Sequence, residues 1–148
     1  MVERLILLAV VAVVAGLAAT FLQRRPSDAP VRTGWSVPEQ LDRADFSDPS
    51  TAWLVAVFTS TTCDSCTGVL TRALPLASDQ VVVQEVEAKR DKGLHDRYRI
   101  EAVPMVAIVN AEGVVVDHHL GPVTATHLWA SLAEARSPGS TPKGCGSH

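Results

Sequence analysis

The sequence contains two cysteines at a spacing that permits reversible redox chemistry. Cys63 and Cys66 are separated by two residues, so that their side chains can close a small disulfide ring at the start of a helix. There the first thiol faces unpaired backbone N–H groups, which favour a thiolate over a thiol. Cys63 is therefore the candidate nucleophile, and Cys66, one turn deeper, is the candidate resolving thiol.

The apolar pattern around this pair predicts the elements that position it. Residues 52–59 form a continuous apolar run with aromatic and β-branched members, which is typical of a central strand buried on both faces. From residue 69 to residue 77, apolar side chains recur at helical spacing. The two cysteines thus lie where a strand passes to a helix.

The rest of the domain continues with alternating strand and helix patterns. Further strands are predicted at 81–86, 105–109 and 114–120, and further helices at 94–99 and 124–136. We expect the strands at 105–109 and 114–120 to pair as an antiparallel hairpin. The helix at 94–99 should end through the extended geometry that Pro104 imposes on Val103, and Thr124 should cap the last helix. Residues 35–49 fit a short helix or an edge segment.

Side-chain periodicity predicts which residues of the later elements are buried. Strict alternation places His118 with the apolar residues of its strand and His119 outward. The charged segment around His95 indicates a solvated helix face. In the last helix, one apolar face is predicted to comprise Leu128, Trp129, Leu132 and Ala133.

Residues 53–136 resemble the thioredoxin family. The resemblance rests on TTCDSC at a strand-to-helix junction, on YRIEAVP at 98–104 before an apolar strand, and on LGP at 120–122 before the last helix. It implies a thioredoxin-like α/β fold with a central mixed sheet flanked by helices. It also implies an enzyme that exchanges thiols and disulfides with protein partners without a metal or another cofactor.

The same resemblance implies a substrate-binding role for two further residues. Pro104 corresponds to the cis-proline that lies beside the cysteine pair in the fold, although only ~5% of X-Pro bonds are cis in general. Val103, directly before it, would offer backbone groups to an extended segment of the substrate.

Residues around the cysteines depart from the family pattern and are expected to modulate the chemistry. Thr62 stands where the family commonly has tryptophan, and Asp64 and Ser65 replace glycine and proline. A carboxylate beside Cys63 disfavours its thiolate, and a less stable thiolate generally means a more reducing couple. The sequence therefore predicts a reductant.

A second departure concerns proton transfer from the resolving thiol. The family commonly has a buried acid six residues before the first cysteine, and this position is Val57. If that acid assists proton removal, this chain must use water or another carboxylate, for which Asp64, Glu85 and Glu87 are the candidates.

Two other functions are compatible with the same residues. The departures permit a redox-inactive module that keeps the fold to bind a partner. Alternatively, the pair could be half of a zinc site, since Cys145 and His148 have the spacing of a second knuckle within the predicted tail.

The amino-terminal sequence predicts a membrane anchor. Residues 5–22 carry no charge and as a helix span about 27 Å, close to the ~30 Å hydrocarbon core of a bilayer. A cleaved signal peptide is the alternative. The predicted organisation is an anchor at 1–25, a linker at 26–34, a thioredoxin-like domain at 35–136 and a flexible tail at 137–148.

Charge indicates the orientation of the anchor and excludes one class of partner. Arg24 and Arg25 follow the apolar run, so the positive charge is heavier on its carboxyl side, and by the charge rule the domain faces the cytoplasm. The expected partners are membrane lipid, through the anchor, and protein thiols and disulfides. A net charge of -3 offers no basic excess for a phosphate backbone, so nucleic acid is not an expected partner.

Overall fold

Four strands form one mixed sheet in the computed structural model, which describes residues 36–140. The strands are β1 (Trp53–Thr59), β2 (Val81–Glu87), β3 (Met105–Val109) and β4 (Val115–Leu120). Their order across the sheet is β2-β1-β3-β4, with β1 parallel to β2 and antiparallel to β3, and with β3 antiparallel to β4. The four predicted strands and the hairpin are confirmed to within one residue.

Three α-helices accompany the sheet within residues 36–140. They are α1 (Cys66–Ala73), α2 (Lys92–Tyr98) and α3 (Ala125–Arg136), and 3-10 helices span Arg43–Asp45 and Leu74–Leu76. α1 passes into the second 3-10 helix at Pro75, which cannot continue an α-helix because it lacks an N–H group. α3 begins at Thr124, whose Oγ1 accepts a hydrogen bond from the His127 amide, as predicted.

The predicted end of the helix before Pro104 is confirmed to within one residue, but the predicted cause of that end is wrong. α2 ends at Tyr98 because Arg99 adopts the left-handed conformation, with a φ of 52°, and its amide closes the last turn on Asp96 and His95. The chain has therefore left the helix several residues before Val103 could restrict it.

The sheet separates two apolar clusters. Val55 and Val57 of β1 pack with α1 and α3 on one face, and Leu54 and Phe58 pack with β3, Leu41 and Phe46 on the other. All residues of β1 from Leu54 to Thr59 are buried, which confirms a central strand buried on both faces. The segment before β1 is both an edge segment and a short helix, because Gln40 bridges to Val114 before the 3-10 helix begins.

The inward and outward faces of β4 are the reverse of the prediction. Val116, His118 and Leu120 are exposed, whereas His119 faces α3 and its Nε2 lies 2.9 Å from Ser131 Oγ. The reason is that β4 is an edge strand with α3 on one face alone, and an irregularity in the β3–β4 register shifts the valines at its start. Helix coverage, which alternation does not encode, decides the buried face.

Two further burial predictions are wrong. His95 is buried, with its Nε2 2.9 Å from the Val86 carbonyl oxygen and its ring edge-on to Phe58, because α2 packs this side against β2. Trp129 is 51% exposed, and Ala133 is exposed too. The buried face of α3 instead includes Ser131, whose hydroxyl is used by His119.

The predicted anchor and linker at 1–34 lie outside the described residues, together with Trp35 and residues 141–148. Within residues 36–140, no helix is both long enough and apolar enough to cross a membrane.

Candidate active site

Cys63 and Cys66 are joined by a disulfide, with their Cα atoms 5.5 Å apart. Cys66 is the first residue of α1 and is 3% exposed, whereas Cys63 lies in the preceding loop and is only half-buried. A partner can therefore reach the sulfur of Cys63 far more easily than that of Cys66. This difference in access matches the roles expected of a nucleophile and a resolving thiol.

The loop that carries Cys63 is held by short-range hydrogen bonds. The Cys63 amide donates to the Ser60 carbonyl at 3.1 Å, and the Cys66 amide donates to the Cys63 carbonyl at 3.4 Å. The hydroxyls of Ser60 and Thr62 are 3.0 Å apart. Thr62 itself is exposed, so it leaves the entrance to Cys63 without the large side chain that the family pattern has there.

Ser65 brings a hydroxyl close to the reactive sulfur. Its Oγ lies 3.8 Å from Cys63 Sγ. Ser65 is also the N-cap residue of α1, but its side chain makes no capping hydrogen bond. Asp64, between the two, is exposed.

The Val103–Pro104 peptide bond is cis and lies at the same end of the sheet as the cysteine loop. Met105, the next residue, pairs with Phe58, one residue before the end of β1. The Pro104 carbonyl accepts a hydrogen bond of 2.8 Å from the Gly121 amide, at the end of β4. Pro104 is buried and Val103 half-buried, so the cis form that the family resemblance implies is present at the expected end of the sheet.

Comparison with known proteins bears on the fold. No protein-family model and no curated protein sequence matches this chain. Among solved structures, one described as the structure of a malarial protein has a TM-score of 0.52 and 15% sequence identity, over 57% of this chain and 97% of its own. Thioredoxin-2 of the malaria parasite, described as a component of the protein secretion machinery, has a TM-score of 0.49 and 15% identity over 57% and 82%.

The fold is thioredoxin-like. The mixed four-stranded sheet with helices on both faces confirms the predicted α/β class. At 15% identity the likeness concerns the fold alone. A thioredoxin-like fold with a bonded cysteine pair at the start of a helix fits a redox function.

The position of the missing acid is apolar, and a carboxylate stands beside it on the next strand. Val57 is fully buried among apolar side chains. In the parallel register it pairs with Glu85, so the two side chains share one face of the sheet. Glu85 Oε1 accepts a hydrogen bond of 2.8 Å from Thr59 Oγ1, and Arg90 Nη1 lies 3.4 Å from its other oxygen. Among the candidates for a proton acceptor, Glu85 is the one that pairs directly with Val57.

Glu87 holds the cysteine loop and the turn after β2 by hydrogen bonds. Its carboxylate accepts hydrogen bonds from the amides of Arg90, Lys89 and Thr61, at 2.8, 2.9 and 3.2 Å. The Arg90 N–H is the main cause that holds the pKa of Glu87 below its usual value, and the Thr61 and Lys89 amides add to it. Sequence reasoning missed this bond to the cysteine loop. A signal was present in the turn sequence that directly follows an acidic strand end.

The zinc alternative depends on residues outside the described part of the chain. Between residues 36 and 140, no group of three or more histidine, cysteine, aspartate or glutamate side chains could hold a metal ion. Cys145 and His148, the suggested second knuckle, lie beyond that range, so the zinc site stays a prediction.

Proposed function

We propose that this protein is a thiol-disulfide oxidoreductase that reduces disulfides of protein partners through Cys63 and Cys66. The observation that carries the proposal is the unequal access to the two bonded sulfurs, because Cys66 is 3% exposed and Cys63 half-buried. Unequal access gives the reaction an order, in which a partner meets Cys63 first.

The reaction proceeds in two exchanges that conserve electrons. The Cys63 thiolate attacks one sulfur of the partner's disulfide and displaces the other sulfur as a thiolate, which forms a mixed disulfide. The Cys66 thiolate then attacks Cys63 Sγ, releases the second partner thiolate and closes the Cys63–Cys66 disulfide. Two electrons pass to the partner, whose thiolates take up protons, and a dithiol donor must then reduce the enzyme.

Backbone groups near Pro104 would hold the partner during this exchange. Val103 lies next to a buried proline that directly precedes β3, beyond the pairing of Met105 with Phe58. An extended segment of a partner can form a short strand-like pairing there, with its cysteine directed at Cys63.

A trapping experiment tests the proposal. In C66S, the mixed disulfide with Cys63 cannot be resolved, so partners should accumulate as adducts that dithiothreitol releases. C63S should give no such adducts. Equilibration of the wild-type pair with dithiothreitol should give a reversible couple near or below ~-270 mV, the value for thioredoxin. The absence of a reversible couple contradicts the proposed oxidoreductase activity and favours a binding module or a metal site.

We also propose that residues 5–22 anchor the chain in a membrane, with the domain on the cytoplasmic side. The support is the length of the uncharged run and the arginines after it. The full chain should remain in the membrane pellet after alkaline carbonate extraction. A membrane-impermeant maleimide should label Cys63 of intact reduced cells only after permeabilisation, and labelling of unopened cells contradicts this orientation.

A further inference from the structure

We infer that the Ser65 hydroxyl donates a hydrogen bond to the Cys63 thiolate in the reduced protein and thereby offsets the neighbouring Asp64 carboxylate. This inference rests on the proposed function, because it concerns the nucleophile of that reaction. It assigns to Ser65 a thiolate-stabilising role in addition to that expected of the backbone N–H groups at the helix start.

The first support is the placement of the hydroxyl. Ser65 Oγ lies 3.8 Å from Cys63 Sγ while that sulfur is part of a disulfide. A disulfide sulfur is a weak acceptor, whereas a thiolate is anionic and forms charge-assisted hydrogen bonds that are roughly twice as strong as neutral ones. Because a serine hydroxyl hydrogen rotates freely, a small movement of the sulfur after reduction suffices to form the bond.

The second support is that the hydroxyl has no competing task. A serine at the N-cap position normally accepts a hydrogen bond from an amide of the first helical turn. Ser65 does not do so, because its backbone is already helical, with a φ of -86° and a ψ of -13°. Its oxygen therefore faces Cys63 instead of the helix.

The third support is that two backbone donors of the loop already have acceptors. The Cys63 amide is bonded to Ser60, and the Cys66 amide is directed at the Cys63 carbonyl. Asp64, between Cys63 and Ser65, brings a negative charge that opposes the thiolate. The Ser65 hydroxyl is a donor placed beside Cys63 Sγ that can oppose this charge.

The experiment measures the titration of Cys63 by its rate of reaction with iodoacetamide from pH 4 to pH 10. It uses the full chain in the C66S background, where Cys63 and Cys145 lie on different tryptic peptides and can be quantified separately by mass spectrometry. In S65A, the apparent pKa of Cys63 should rise by about one unit, so that the rate below this pKa falls by up to about tenfold.

Matched variants separate the hydroxyl from changes in shape. In S65T the hydroxyl is kept, so Cys63 should titrate as in the parent. Valine has nearly the shape of threonine but no hydroxyl, so in S65V Cys63 should titrate as in S65A. T67A removes an exposed hydroxyl from the same turn and should have no effect. Circular dichroism spectra check that each variant is folded.

Two results overturn the inference: an S65A titration identical to that of the parent, or a T67A shift as large as that of S65A. Both are independent of the proposed function, which the reversible couple of the wild-type pair tests. A reversible couple without an effect of S65A removes this role of Ser65 alone. An effect of S65A without a reversible couple contradicts the proposed oxidoreductase activity and still supports the hydrogen bond from Ser65 to Cys63.

Discussion

The Glu87 carboxylate accepts a hydrogen bond from the amide of Thr61, two residues before Cys63. Glu87 ends β2 and Thr61 follows β1, and the last residue of β1, Thr59, pairs with Glu87 in the sheet. The same carboxylate also holds the turn after β2. One side chain that is 8% exposed therefore ties the cysteine loop to the neighbouring strand and turn.

This arrangement predicts that E87Q lowers the melting temperature at pH 7. Both carboxylate oxygens of Glu87 accept hydrogen bonds from backbone N–H groups, whereas glutamine has one oxygen and an NH₂ group that cannot accept. The pKa of Glu87 is lowered, first by the Arg90 N–H. Its stabilising contribution is therefore present above the pKa of an unfolded glutamate, ~4.3, and is lost as the pH falls through the lower pKa of the folded state. The gap between wild type and E87Q should close in acid.

Thermal unfolding from pH 7 to pH 3 measures this gap. E101Q is the control, since Glu101 is exposed and lies outside the cysteine loop. A gap between wild type and E87Q that stays constant down to pH 3 shows that ionisation of Glu87 does not stabilise the fold.

Most of the fold and the cysteine pair could be predicted because the relevant signals are local. The run at 52–59 is apolar throughout, and a strand covered on both sides needs no further information. The junction before α1 and the Thr124 cap are likewise set by neighbouring residues.

The wrong predictions share a physical cause, which is that tertiary packing chooses between faces. β4 alternates as predicted, but α3 covers the face of His119 instead of that of Val116 and His118. The hydrogen bond between Glu87 and Thr61 joins residues 26 positions apart, and the contact of Ser65 with Cys63 depends on loop conformation, so no periodicity could indicate either.

The burial of His119 predicts an acid-dependent loss of stability. Burial is the main cause that lowers the pKa of His119; Asp117 opposes this shift, and His118 and His127 add to it. The unfolded chain therefore binds the proton more readily, and stability falls as the pH drops below the unfolded value of ~6.5. H119Q, which can still bond Ser131, should lack this component.

Urea unfolding at pH 7, 6 and 5 measures the contribution of His119 as the difference in free energy of unfolding between wild type and H119Q. As the pH falls, the free energy of unfolding should decrease more for wild type than for H119Q. H118Q is the comparison, because His118 is exposed on the same strand and its charge only adds to the effect of burial, so H118Q should keep most of the pH dependence of wild type. Equal pH profiles of wild type and H119Q contradict the prediction.

Gly68 offers a stabilising substitution within α1. A Cβ atom there would lie 3.1 Å from Arg72 Nη1, the far end of an exposed side chain that can move away. Alanine is preferred to glycine within a helix, so G68A should raise the free energy of unfolding by about 0.5–1 kcal/mol. G93A, with open space around its position in α2, should behave similarly.

G113A is the opposing control for these glycines. Gly113 has a φ of 84°, and a Cβ atom there would meet the Leu41 carbonyl oxygen at 2.1 Å. This substitution should destabilise the protein in chemical denaturation by more than the gain at Gly68. If G68A is as destabilising as G113A, the Arg72 side chain is not free to move.

Val57, at the position where the thioredoxin family commonly has a buried acid, is fully buried in an apolar cluster. V57A should lower the free energy of unfolding by ~2 kcal/mol through the lost methyl groups and the cavity. V57D should lower it further at neutral pH, because a carboxylate among Val55, Val69 and Val106, with Glu85 on the adjacent strand, is buried without a partner.

The pH dependence separates charge from polarity at this position. Burial raises the pKa of the new carboxyl group, so the folded state of V57D binds its proton more tightly and loses stability as the pH rises from ~4. V57N places a neutral group of the same shape there and should show no such slope relative to wild type. If V57D unfolds in urea with the pH profile of V57N, the new carboxylate finds a compensating partner, for which the Thr59 hydroxyl, bonded to Glu85, is a candidate.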